Sequence, residues 1–211
     1  MLKWQGEETV SILMLDKNHY SCYAIKSIAE QSIGKGVIRV VHSSEELFGA
    51  LSYYGHTETI IVSYDVNHSN YFILLDILIG CFPHIKIIVV IYKATNAVVS
   101  LLKCMRVEII LSYYDSRDDF VIALTCPKGE VYLSSVIMNT LKNNEPDNIA
   151  DSEVFFLTPM ERYVLGNLLI GVSADEIAKT KKIHIKTVNS HKMNALRKVS
   201  IKRLNELVLC S

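Results

Sequence analysis

The sequence predicts two domains: a doubly wound α/β domain with a (βα)5 pattern over residues 1–142, and an all-α domain over residues 154–211. Two observations support this prediction. Five short β-branched runs alternate with helical stretches along the first 125 residues, which is typical of a parallel sheet covered by helices. The last third carries successive helix-capping patterns joined by short turns. A polar stretch with Pro146, residues 143–153, is the predicted linker.

The predicted strands are continuous apolar runs, as expected of strands buried on both faces. They occupy residues 10–15, 37–41, 59–64, 86–92 and 108–111. The predicted helices of the first domain occupy residues 19–33, 44–54, 70–80, 95–104, 116–125 and 134–142.

Capping residues delimit the first two helices of the last third. Thr158 and Glu161 form a capping box around Pro159, where a missing N–H costs nothing, and Gly171 is placed to end that helix. A second capping box, at 173–176, begins a short helix at about 174–181.

A third helix, from about His184 to Val199, completes a compact tri-helical unit. Val188, Ala195 and Val199 recur at helical spacing and should face the core, with His191 beside them. Another side of this helix carries a polar, basic stripe: Lys186, Asn189, Ser190, Met193 and Arg197. Such a stripe is either an ordinary solvated face or one that enters a DNA major groove, where amide and cationic side chains read base edges.

The charge distribution favours the second interpretation. Residues 157–211 contain ten Lys/Arg and four Asp/Glu, a net charge of +6. The whole chain has 22 of each, so residues 1–156 carry −6. A basic C-terminal module is expected of a protein that binds a phosphate backbone.

Residues 157–207 resemble the LuxR/GerE-type helix-turn-helix of bacterial transcription regulators. The matching landmarks are L-T-P-x-E-R (157–162), G-x-S-x-x-E-I-A (171–178), K-T-V-x-S-H (186–191) and R-K-V (197–199). Within that family, residues 186–194 are most similar to the auxiliary capsule and colonisation regulators of enteric bacteria. Two positions depart from the family: Lys181 replaces a leucine, so the second helix is expected to be short or loosely packed, and His184 replaces a serine or threonine cap.

The resemblance implies roles for individual residues in binding double-stranded DNA. It places base contacts at Asn189, Ser190 and Met193, and backbone contacts at Lys186, Thr187, Lys192 and Lys198, with Arg197 on the same face. It also implies a dimerisation helix over about 203–210, presenting Leu204, Leu207 and Val208. Because this helix is short, we expect a weak homodimer and a heterodimer with another LuxR-type regulator.

A (βα)5 domain in front of such a helix-turn-helix is similar to the receiver domain of two-component response regulators. A working receiver needs an acidic pair that holds Mg²⁺, an acceptor aspartate, a Thr or Ser and a Lys. Here only Asp16 remains of the pair, followed by Lys17, which would repel the metal. The position of the acceptor aspartate falls at Ser63, with Asp65 two residues later. The Thr or Ser position falls at Tyr92, and the Lys position falls at Ser112 or Tyr113. The sequence therefore predicts a pseudo-receiver that does not take phosphate. Two tyrosine pairs, 53–54 and 113–114, are either packing residues or, for the second pair, a partner contact.

Composition narrows the class of protein further. Five dispersed cysteines (Cys22, Cys81, Cys104, Cys126 and Cys210) favour reduced thiols in a cytosolic protein over disulfides or zinc. The apolar stretches are too short to span a bilayer, and the first residues show no signal-peptide pattern. No catalytic set, metal cluster or cofactor motif is recognisable, so we expect neither an enzyme nor a cofactor.

The leading hypothesis is a cytoplasmic transcription regulator controlled by partner binding or abundance. Two alternatives remain: a phosphorylation-dependent response regulator that uses Asp65, and a module that titrates another regulator without contacting DNA.

Overall fold

The computed structural model describes residues 11–35, 37–64, 70–144 and 155–207. Its described residues form six parallel strands in the N-terminal domain: β1 (Ile12–Leu15), β2 (Ile38–Val41), β3 (Thr59–Tyr64), β4 (Lys86–Ile91), β5 (Ile109–Ser112) and β6 (Tyr132–Leu133). Their order in the sheet is β2-β1-β3-β4-β5-β6. The helices between and after them are α1 (His19–Ser32), α2 (Ser44–Tyr53), α3 (Asn70–Cys81), α4 (Asn96–Cys104), α5 (Arg117–Thr125) and α6 (Ser135–Asn144). This is the doubly wound parallel sheet that the alternating pattern predicts.

The two faces of the sheet bury separate apolar clusters. On one face, α1 and α5 cover residues such as Met14, Ile61 and Val90. On the other, α2, α3, α4 and α6 cover residues such as Leu13, Val62 and Val89. The central strands β3 and β4 are buried along their whole length, which explains why their sequences are continuous apolar runs.

The sixth strand was missed by the sequence prediction. β6 has two residues and carries no apolar run long enough to predict a strand. Two aspartates hold β6 and the start of α6 in place. Asp115 accepts a hydrogen bond from Val136 N at 3.3 Å, and Asp119 accepts one from the Tyr132 hydroxyl at 2.7 Å. As a result α6 begins at Ser135, packs on α4 and β5, and extends to Asn144, two residues beyond its predicted end.

The C-terminal domain comprises α7 (Pro159–Leu169), α8 (Ala174–Lys181) and α9 (Ile185–Lys198), followed by a 3-10 turn at Leu204–Leu207. Of the predicted dimerisation helix over 203–210, the described part forms only this short turn, and Val208 lies outside the described residues. Residues 145–153 of the predicted linker also lie outside the described part of the chain. Within that part, no helix is long and apolar enough to cross a membrane.

The two domains share one apolar core. Leu165, Leu196 and Leu207 of the C-terminal domain belong to the same buried cluster as α3 and α4 of the N-terminal domain. Gly166 of α7 packs closely against Phe72 of α3, because a Cβ built on this glycine would lie 3.0 Å from a ring carbon of Phe72.

Candidate nucleic-acid interface

The caps predicted for the helix-turn-helix all form. Thr158 Oγ1 accepts from Glu161 N while the Glu161 carboxylate accepts from Thr158 N, and Ser173 and Glu176 form the same reciprocal pair. His184 caps α9 through Nδ1, which accepts from Lys186 N at 3.1 Å. The histidine therefore performs the capping role of the serine or threonine it replaces.

The second helix is short, with eight residues (Ala174–Lys181), as the sequence predicts. Lys181 is exposed, and its Nζ lies 3.8 Å from the centre of the Tyr163 ring, so a cation–π contact replaces the missing leucine. The turn into α9 is made by Lys182 in the left-handed region, with φ 54°. Ile177, Ala178 and Val188 fill the small core that holds α8 against α9.

The polar stripe of α9 faces solvent and leaves the core side to Val188, Ala195 and Leu196. Met193 is 60% exposed, an unusual position for a large apolar side chain. The stripe residues Lys186, Asn189, Ser190 and Arg197 are exposed, and so is their neighbour Thr187. His191 and Lys192, which lie outside the stripe, are half-buried. The structure therefore brings the predicted base-contacting residues together on one accessible face.

Lys198 occupies a different environment. Its Nζ donates to the Glu161 carboxylate at 2.7 Å and to the Phe156 carbonyl at 3.0 Å. Burial alone would raise the pKa of Glu161, but the bonds from Lys198 and Thr158 outweigh burial and lower it. Lys198 thus ties the end of α9 to the start of α7, a role that sequence reasoning missed because partners 37 residues apart leave no local pattern.

Two of the predicted dimerisation residues, Leu204 and Leu207, pack against other residues of the same chain. Leu207 is 2% exposed and Leu204 is half-buried, and both pack in the core shared with the N-terminal domain. In this arrangement they do not form an exposed dimer face.

The N-terminal domain has a second polar centre at the carboxyl end of its sheet. Asp16 is 3% exposed, and its Oδ2 accepts from Ser21 Oγ at 2.5 Å and from the Tyr113 hydroxyl at 2.6 Å. Its Oδ1 accepts from Asn18 N at 2.8 Å. Burial and the bond to Asp16 both raise the pKa of Tyr113, so the phenol stays protonated and donates.

The residues predicted to occupy the other positions of a receiver centre lie at or near the carboxyl ends of β3, β4 and β5. Ser63 and Ser112 are buried at the ends of β3 and β5, and Tyr92 is 65% exposed. Asp65 lies outside the described residues. Among the described residues, no group of three or more His, Cys, Asp or Glu side chains could hold a metal ion.

The fold and these two centres define a receiver-like domain joined to a helix-turn-helix domain. Residues 156–211 match the sequence model described as bacterial regulatory proteins, luxR family. The C-terminal domain is therefore a LuxR-type helix-turn-helix domain. No curated protein matches the chain.

Solved structures of the response regulator RcsB are similar to this chain. The RcsB response regulator of Salmonella typhimurium is 23% identical, with 93% of this chain and 96% of that chain covered and a TM-score of 0.55. A complex of the response regulator RcsB with DNA gives 22% identity, coverage of 93% and 95%, and a TM-score of 0.56. The isolated REC domain of RcsB from Salmonella enterica serovar Typhimurium covers 61% of this chain and 96% of its own, at 18% identity and a TM-score of 0.53. These likenesses show the fold of both domains.

Proposed function

We propose that this protein is a DNA-binding transcription regulator whose activity depends on partner binding or abundance and not on phosphorylation. The observation that carries the proposal is the exposed polar and basic face of α9 in a LuxR-type domain. Double-stranded DNA is the partner that suits this face, since the recognition helix of a helix-turn-helix lies in the major groove.

The residues of this face divide into two roles in the proposal. Asn189, Ser190 and Met193 contact base edges, the amide through hydrogen bonds and the thioether through a thymine methyl. Lys186, Thr187, Lys192 and Arg197 bind or approach the phosphate backbone, which fixes the register of the helix. Lys198 belongs to the second group only if its ammonium leaves Glu161 or bridges the carboxylate and a phosphate.

The hydrogen bonds around Asp16 support the proposal that the protein acts without phosphorylation. Its carboxylate already accepts three hydrogen bonds from Ser21, Tyr113 and Asn18, and Lys17 stands next to it. A cation arriving there would have to displace a buried phenol hydroxyl. The positions that bind a phosphoryl group in a receiver hold Tyr92 and either Ser112 or Tyr113, none of which supplies a positive charge.

Tight binding requires two helix-turn-helix units, because one unit buries little DNA surface. The RcsB structures include dimers bound to DNA. We propose that this chain binds a site with two half-sites, as a weak homodimer or as a heterodimer with another LuxR-type regulator.

Selection of binding sites from a random DNA library tests the proposal. The full chain should enrich one consensus, and Asn189→Ala should relax the preference at one base position, at a cost of about 1–3 kcal/mol on the cognate site. The comparison variant is Asn194→Ala, at an exposed residue of the same type that accepts from Arg197 and lies outside the proposed base-contacting set, and it should leave the base preference unchanged. Failure to enrich any sequence, with or without a partner regulator, would favour the module that titrates another regulator without contacting DNA.

A further inference from the structure

A cleft lies between helix α2 and strand β2, at the edge of the sheet. Within the described part of the chain, β2 pairs with β1 alone, so its outer backbone edge has no partner strand. The cleft has a volume of about 300 Å³, which falls in the range of small-ligand sites. Arg39 of β2 lines it with Glu46, Gly49 and Tyr53 of α2 and with Tyr54, the residue after α2.

Arg39 provides a positive charge at one end of the cleft. Its Nη1 donates to the Tyr54 hydroxyl at 2.9 Å, and its guanidinium lies over the Tyr54 ring, 5.5 Å from the ring centre. These contacts hold the planar guanidinium in place. A guanidinium has five N–H donors, and the contacts of the described residues use one of them, so the group can still donate to a carboxylate.

Glu46 provides a negative charge at the other end of the cleft. Its Oε2 accepts from His42 N at 2.8 Å, which holds the carboxylate beside the end of β2. Among the described residues, neither Glu46 nor Arg39 forms an ion pair, although both line the same cleft. A ligand that carries a carboxylate and an ammonium group would pair with both charges.

The separation of the two charges sets the length of that ligand. Along β2, His42 lies three residues after Arg39, a distance of about 10 Å at about 3.3 Å per residue. Along α2, Glu46 and Tyr54 are eight residues apart, which is about 12 Å at about 1.5 Å per residue. An extended peptide of about three residues has this span between its terminal ammonium and carboxylate groups, whereas a single amino acid does not.

The middle of the cleft has space for a side chain of the ligand. Gly49 lies on the same face of α2 as Glu46 and Tyr53, one turn from each. Glycine is unfavourable inside a helix, and no close contact requires it here, because a Cβ built on Gly49 would meet nothing within 4 Å. Tyr53 is 69% exposed, and its ring lies edge-on to the Tyr54 ring with 4.9 Å between the centres. An aromatic side chain suits this space.

We propose that this cleft binds a short peptide with free termini, of about three residues and with an aromatic residue in the middle. The peptide carboxylate pairs with Arg39, and its terminal ammonium pairs with Glu46. The peptide then runs antiparallel to β2, so its backbone can hydrogen-bond to the open edge of that strand. The proposal does not rest on DNA binding, because none of these residues belongs to the C-terminal domain.

Calorimetric titration of the full chain with alanyl-phenylalanyl-alanine tests the proposal. The peptide with free termini should bind at a single site. Its C-terminal amide and its N-acetyl form should each bind about 10-fold more weakly, because each lacks one charge-assisted contact at an open site. Trialanine, which has no ring, and free phenylalanine, which cannot reach both charges, should also bind more weakly.

Three substitutions test whether the peptide lies in this cleft. Arg39→Gln should weaken binding of the free peptide about 10-fold and leave binding of the amide unchanged. Glu46→Gln should weaken binding of the free peptide by a similar factor and leave binding of the N-acetyl form unchanged. Gly49→Leu should abolish binding, because the leucine side chain fills the cleft.

Two matched variants serve as controls and should bind the peptide like the wild type. Arg117→Gln changes an exposed arginine on α5, and Gly80→Leu changes a helical glycine on α3 where an added Cβ also meets nothing within 4 Å. The melting temperature of Gly49→Leu should stay close to that of the wild type, since leucine is a better helix former than glycine.

Three results would overturn the proposal: no binding of the free peptide, equal affinity for its free, amidated and acetylated forms, or binding that Gly49→Leu leaves unchanged. Free phenylalanine that binds as tightly as the tripeptide would identify an amino-acid site and would equally overturn the proposal of a peptide. Failure to select a DNA sequence would bear only on the proposed function.

Discussion

Replacing Lys198 by alanine tests whether this lysine stabilises the fold or binds a DNA phosphate. Lys198 donates to the Glu161 carboxylate, whose side chain is 5% exposed, and to the Phe156 carbonyl. Removing one partner of a fully buried pair costs about 3–5 kcal/mol. Because the lysine side chain is 19% exposed and Glu161 keeps its bond from Thr158 N, we expect about 2–3 kcal/mol here.

The loss should appear as a lower melting temperature. The two domains share a core, so a cooperative unit of about 200 residues should lose roughly 4–12 °C. Lys192→Ala, on the same helix, is the matched control and should lower DNA affinity with little change in melting temperature. In a double-mutant cycle, Glu161→Gln should recover part of the loss, because no buried carboxylate is then left without its cation.

The pH dependence of the Lys198→Ala effect follows from the lowered pKa of Glu161. A carboxyl group with a depressed folded-state pKa contributes stability that is present above its ordinary pKa, 4.5, and is lost as the pH falls through the folded-state value. The difference between wild type and Lys198→Ala should therefore be full at pH 7 and shrink below about pH 4. An unchanged melting temperature, together with a uniform loss of affinity for all DNA sequences, would refute this assignment and restore Lys198 as a backbone contact.

Three further predictions concern both domains. Tyr113→Phe should destabilise the chain by about 1–3 kcal/mol in urea unfolding, because it removes a hydrogen bond to the buried Asp16 carboxylate; no loss would show that the phenol is dispensable. Burial alone would raise the pKa of Asp119, but hydrogen bonds from Ser116, Tyr132 and Ser135 lower it to about 2. The stability that this carboxylate contributes should therefore be full above its ordinary pKa, 3.8, and be lost as the pH falls through about 2. Acid unfolding of Asp119→Asn, compared with wild type, measures this contribution, and parallel curves would contradict it. The DNA affinity of the full chain should fall steeply with salt, because the slope of log K against log salt concentration steepens by roughly one for each phosphate contact. A flat salt dependence would exclude the basic face of α9 as a phosphate-binding surface.

Local patterns predicted most of the secondary structure and the recognition face. The capping boxes at Thr158 and Ser173, and the spacing of polar residues on α9, are set within four residues and are visible in the sequence. The five longer strands are equally visible because each consists mainly of apolar residues, with Arg39 as an interruption in β2. β6 was not predicted, because two residues held in place by distant aspartates carry no periodicity.

The features that the sequence did not predict are contacts between residues that lie far apart in the chain. The pairing of Lys198 with Glu161, the bond from Tyr113 to Asp16 across 97 residues, and the burial of Leu207 against α4 all depend on how elements come together. The family pattern suggested a phosphate contact for Lys198 and a dimer contact for Leu207, and this structure employs both side chains inside the chain. The base-contacting roles of Asn189, Ser190 and Met193 stay predictions that the exposure of α9 supports.

We propose that DNA binding by this protein does not depend on a phosphoryl group in the N-terminal domain. The most direct test incubates the full chain with a small-molecule phosphodonor and Mg²⁺, then measures incorporated acid-labile phosphate and affinity for the selected DNA site in the same sample. We predict no phosphate on the protein and an unchanged affinity, and the same affinity for Asp65→Ala. Acid-labile phosphate on Asp65 accompanied by tighter DNA binding would contradict the claim and identify the chain as a phosphorylation-dependent regulator.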